Sequence, residues 1–125
     1  MQRTPPLPGR FDRARFLRLI ELVGPEISPT LLAQLVADLD SCDSRLTDAA
    51  RRTDWALLRE TTHDLMALGG SCGALALQDL AQEMNSAAHD QDPAALAGLS
   101  PGLAIELSAL RDLVRATPAT GPVPW

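Results

Sequence analysis

The chain has 125 residues, a formal charge of −5 and an apolar fraction of 46%. That length suits one domain with a genuine core, and an acidic chain without a basic stripe or aromatic stacking platforms argues against nucleic acid as the partner. Every basic residue is Arg, so a phosphate-binding loop, which needs a Lys to reach the phosphates, is excluded.

The apolar residues are mostly Leu and Ala, with few β-branched or aromatic side chains, which favours an all-α fold. No apolar run approaches the length of a membrane span, and Pro stands where a signal peptide needs an apolar stretch, so neither membrane nor export is expected. Cys42 and Cys72 do not make a disulfide framework; they read as reduced thiols packed as small hydrophobes in a cytoplasmic protein. Only His63 and His89 are available as nitrogen ligands. Neither forms a close pair with a Cys, so no metal is expected.

Residues 1–10 contain three Pro and one Gly and read as a flexible tail. Residues 117–125 read the same way, with Trp125 of no obvious role. Between them, residues 11–116 form the domain. A first helix is predicted from about Asp12 to Val23, ended by Gly24-Pro25. A second opens at Ser28-Pro29, with Ser28 as cap, and runs to about Arg51. Leu31, Leu35, Leu39, Cys42, Leu46 and Ala49 form its buried stripe.

Thr53 or Asp54 caps a third helix reaching about Leu68, where Gly69, Gly70 and Gly73 weaken or bend it. A fourth covers about Ala74 to His89, with Leu77, Leu80, Met84 and Ala87 inward. Asp90 to Leu99 reads as a connector. Ser100-Pro101 opens a fifth helix with Leu103, Leu107, Leu110 and Val114 as its stripe. Short connections make neighbours antiparallel, so the last four helices are expected as an up-down four-helix bundle with an additional N-terminal helix at one end.

On a wheel of about 100° per residue, Leu57, Leu58, Thr61, Leu65, Leu68 and Cys72 lie opposite His63. Ala56, Arg59, Ala67 and Gly70 fall within about 40° of it, and Glu60 and Met66 at about 60°. A core role for His63 is thereby disfavoured, while an ordinary surface histidine and an exposed functional one both fit the wheel. Small side chains around the ring leave it open to another macromolecule. Gln78, Gln82, Asn85 and His89 form a polar stripe on the next helix, from which an amide could fix the tautomer and leave the other nitrogen as nucleophile.

These residues resemble a histidine phosphotransfer domain, the module that relays phosphoryl groups between response-regulator receivers. That family carries His-x-Leu-Lys-Gly, then Gly-Ala, then Leu; the chain has His63-Asp64-Leu65-Met66-Ala67, then Gly73-Ala74 and Leu77. Upstream, Ala49, Ala50, Thr53-Asp54, Leu57 and Leu58 are similar to the family's approach to its histidine. The resemblance covers roughly residues 12 to 115.

The resemblance implies a phosphocarrier, not an enzyme in its own right. His63 would be the phospho-acceptor, Asn85 would orient the ring, and Arg59 would supply a cation in place of the family's Lys, because Met66 can neither donate nor carry charge. Ala56, Arg59, Glu60, Met66, Ala67, Gly70 and Gln82 would form the docking surface. The partners implied are response-regulator receiver domains and a hybrid histidine kinase, with no cofactor beyond the Mg²⁺ of the receiver. A degenerate member that binds and regulates without transfer is the alternative. A plain helical adaptor using Asp38, Asp40, Asp43 and Asp48 is a third reading. No Ser/His/Asp set, paired-carboxylate cleft or zinc motif appears, and the length has no room for a kinase's ATP-binding domain.

Overall fold

The computed structural model describes residues 5–125; the first four residues of the expected N-terminal tail lie outside that range. Five helices follow in order: α1 (Arg13–Val23), α2 (Ser28–Arg52), α3 (Trp55–Cys72), α4 (Leu75–His89) and α5 (Pro93–Arg115). Among the described residues there is no strand, only one isolated antiparallel bridge between Phe11 and Ala74. Helices α3 and α4 pack together, as do α2 with α3, α4 with α5, and α2 with α5, while α1 touches α2 and α3.

The caps explain most of the boundaries. Asp12 caps α1 by accepting from Arg15 N–H at 3.1 Å, and Asp54 caps α3 by accepting from Leu57 N–H at 3.0 Å. Between α2 and α3, Thr53 takes a left-handed φ of 52° to turn the chain. Ser28 departs from its expected role. Ile27 holds the cap position, and Ser28 is the first helical residue, buried, with Oγ donating to Gly24 O at 2.7 Å.

Helix α3 does not end at Leu68. It continues through Gly69 and Gly70 to Cys72 and closes on Gly73, whose φ of 77° gives the left-handed C-cap. The absence of a side chain at Gly69 lets the start of α4 come close. A Cβ there would meet Gln78 N at 3.1 Å and Ala74 O at 3.2 Å.

Helix α5 departs furthest from expectation. The expected connector from Asp90 to Leu99 is helical from Pro93 onward, and Pro101 lies inside the helix. A second cap-plus-Pro signal, Asp92-Pro93, takes the start: Asp92 accepts from Ala95 N–H at 3.1 Å. Ser100 is not a cap, since its Oγ donates to Leu96 O at 2.7 Å. Pro in a helix interior costs roughly 3 kcal/mol. Burying a Leu contributes about 1.5–3 kcal/mol and a cap about 1 kcal/mol, so burial of Leu96 together with the Asp92 cap meets that cost. Uninterrupted, α5 is also long and apolar enough to cross a membrane, with a mean hydropathy of 1.3. Its stripe of Leu96, Leu103, Leu107, Leu110, Leu113 and Val114 is buried inside the protein.

The core joins Phe16 of α1 to Leu35, Leu39, Leu58, Leu65, Leu77, Met84 and the α5 stripe. Leu32, Ala81, Ala88, Leu96 and Leu113 are buried too, beyond the stripes expected from periodicity. Both terminal segments make defined contacts. Gly9 N–H donates to Glu106 at 2.8 Å, and Asp12 N–H to Gly73 O at 2.7 Å. Trp125 sits 5.5 Å from the rings of both Phe11 and Phe16 and donates from Nε1 to Thr117 Oγ1 at 3.2 Å.

Candidate functional site

His63 lies two turns into α3, on its exposed face. The burial of Leu58, Thr61, Leu65 and Cys72 on the opposite side holds it there. Ala56 and Ala67, one or two turns away on the same face, are exposed, as is Glu60. Gly70 is half-buried, with its carbonyl receiving Arg15 Nη1 at 3.1 Å. No long side chain on these small residues overhangs the imidazole.

Arg59 stands one turn before His63 and is half-buried. Among the described residues its guanidinium makes no ion pair, whereas Arg10, Arg15, Arg45, Arg51, Arg52, Arg111 and Arg115 all do. Asp64, next to His63, is held away by Arg45 of α2 at 3.0 Å.

Met66 is not the freely exposed side chain expected of the docking surface. It is half-buried and packed against the core, because it points toward the edge of the apolar stripe. Gln82 is exposed on α4, beside a shallow depression it shares with Asp79, Glu83 and Ser86.

Asn85 behaves differently from expectation. Its Nδ2 donates to Arg59 O at 3.1 Å and to Thr62 Oγ1 at 3.0 Å. Both amide protons are thereby committed, and none reaches the His63 ring. The physical reason is reach. Asn85 is half-buried at the α3–α4 seam, where the short side chain meets the α3 backbone before it meets a ring on the outer face. Arg59 O is also the helical acceptor for the His63 N–H. Asn85 therefore braces the turn that carries His63.

Thr62 completes that brace and was not marked by the sequence. It is fully buried, and its Oγ1 lies 2.7 Å from Leu58 O, to which it donates. A Thr within a helical stripe gives no local sign of a cross-helix partner; only the α4 Asn85 reveals it.

The acidic residues of α2 are largely paired within the chain, at its surface. Asp40 and Asp43 receive Arg111 at 3.2 and 3.1 Å, Asp48 receives Arg51 at 3.0 Å, and Asp38 receives the Gln34 amide at 2.8 Å. Burial pushes the Cys72 thiol up to about 12, and burial likewise raises Cys42, partly opposed by Arg45. Neither is a poised nucleophile. Among the described residues, no group of three or more His, Cys, Asp or Glu side chains is placed to hold a metal. In comparisons with protein families, with curated proteins and with solved structures, the chain matches none.

Proposed function

We propose that this chain is a cytoplasmic phosphorelay intermediate of the histidine phosphotransfer type. It accepts a phosphoryl group on His63 from a response-regulator receiver and passes it to another. The observation that carries the reading is the exposed His63 among Ala56, Ala67 and Gly70, with the unpaired Arg59 one turn away. The cyclic order of neighbours α2, α3, α4, α5 supports an antiparallel up-down four-helix bundle with α1 added at one end.

In this scheme neutral His63 attacks the phosphorus of a receiver's aspartyl phosphate through Nε2. A P–N bond forms, the P–O bond to the aspartate breaks, and the carboxylate leaves on the receiver. The reverse step delivers the group to a second receiver, and a hybrid histidine kinase would carry such a receiver. Arg59 offsets charge on the phosphoryl oxygens, and Asn85 with Thr62 keeps the His63 turn in place. Positioning and charge stabilisation carry most of such a transfer. Mg²⁺ would be bound by the receiver. Ala56, Glu60, Met66, Ala67, Gly70 and Gln82 would form the docking surface.

The test is transfer from a ³²P-labelled receiver to the wild-type chain and to His63→Gln. Acid-labile label on the wild type alone is expected; equal labelling of both removes His63 as acceptor. A regulatory member that docks without transfer is the second reading. It is favoured by Met66, which packs on the core and places no cation there. A large gain in transfer in Met66→Lys would support that reading, and no change would support Arg59 as the working cation.

A further inference from the structure

Between α2 and α5 lies a cleft of about 250 Å³ that the His63 face does not use. Its floor is Leu58, Met84, Leu103 and Leu107, each no more than 2% exposed. Leu46, Ala50 and Leu96 form its walls. Only Asp43, Thr47 and Ser100 bring polar side chains to the lining.

Those three are already occupied. Thr47 Oγ1 donates to Asp43 O at 2.9 Å, and Ser100 Oγ donates to Leu96 O at 2.7 Å. Each hydroxyl has spent its one proton on its own helix. The Asp43 carboxylate is held by Arg111 at 3.1 Å. Water needs two to four polar partners to reside in a cavity, and one lined by Leu, Ile and Phe of about 150 Å³ stays dry and takes up benzene. The α2–α5 cleft is larger and opens to solvent on one side past the exposed Thr47 and Ala104, and its floor offers water no donor.

The cleft exists for structural reasons. Arg111 spans α5 to α2 through Asp40 and Asp43, so a polar bridge, rather than interdigitated side chains, joins the helices beside it. Ala50 and Ala104, small residues facing the space from either helix, leave it unfilled.

We infer that this cleft binds a small neutral apolar molecule, the size of a single aromatic ring or a short alkyl chain. Any polar substituent would sit at the mouth, near Asp43 and Thr47. Leu58 lies about 140° around α3 from His63, so an occupant leaves the imidazole uncovered. The inference is independent of the phosphotransfer reading.

Benzene is the probe. Titration of the full chain should give saturable ¹H–¹³C methyl shifts at Leu46, Leu58, Met84, Leu103 and Leu107, and a rise in Tm. Benzoate, which carries a charge the floor cannot pair, should bind at least tenfold more weakly. Ala104→Phe fills the cleft from α5 and Ala50→Leu fills it from α2; each folded variant should lose at least tenfold in benzene affinity. No saturable shift, equal binding of benzene and benzoate, or wild-type affinity in a folded filled variant would each overturn the inference. If neither variant folds, the comparison of benzene with benzoate on the wild-type chain decides it alone.

Discussion

The side-chain amide of Asn85 donates to Thr62 Oγ1 at 3.0 Å, which ties α4 to the α3 turn just before His63. The same amide donates to Arg59 O. Asn85→Ala removes both bonds and should cost about 1–2 kcal/mol in urea unfolding. A cycle with Thr62→Val should show a coupling of about 1 kcal/mol; strict additivity would mean the two residues do not act together. The tautomer ratio of His63, read from ¹⁵N shifts, should be unchanged in Asn85→Ala. A changed ratio would restore the ring-orienting role.

Two adjacent glycines of α3 should respond oppositely to a methyl group. At Gly69 a Cβ presses on backbone atoms at the start of α4, Gln78 N at 3.1 Å and O of the preceding Ala74 at 3.2 Å. Backbone cannot swing aside, so Gly69→Ala should lose about 1–3 kcal/mol. At Gly70 the obstacle is the end of the flexible Gln78 side chain. Gly70→Ala should be neutral or gain up to about 0.5–1 kcal/mol from helix propensity. Equal losses, measured by urea midpoints, would mean that Gly69 does not set the α3–α4 approach.

The thiols should be silent in the folded protein. Burial holds Cys72 at about 12 and raises Cys42, so at pH 8 neither should react with an aromatic disulfide reagent, and both should react in denaturant. A raised folded value leaves stability intact at neutral pH. It is lost as pH rises above the ordinary thiol range, where the unfolded chain ionises and the folded chain does not. Rapid modification of native protein would contradict the buried placement.

Asp54 should dominate no stability curve, yet its titration has a defined direction. The Leu57 N–H first, and then Arg52, hold its carboxyl below the usual carboxylate range. A depressed folded value means that its contribution is present above the unfolded value and disappears as pH falls through the folded one. Carboxyl ¹³C shifts should therefore place the Asp54 midpoint below that of a free Asp, about 3.9. Asp54→Asn, which still caps, should flatten the pH dependence of stability in that acid range. A midpoint at or above the free value would remove the cap from the account.

Helix identity and the outward direction of His63 were legible in the sequence. Both arise from local causes: 3.6-residue periodicity, caps within three residues of a helix start, and glycine at a left-handed turn. Leu58, Leu65 and Cys72 on one face of α3 place His63 on the other, whatever packs against them. The start of α5 was not legible, because Asp92-Pro93 and Ser100-Pro101 are equivalent local signals. Burial of Leu96 against distant helices chose between them. Gly69 inside α3, Trp125 on Phe11 and Phe16, the apolar α2–α5 cleft and the bond from Asn85 to Thr62 belong to the same class. Each joins residues on different elements. Periodicity determines which face a residue occupies. Only the packing of one helix on another determines what that face meets.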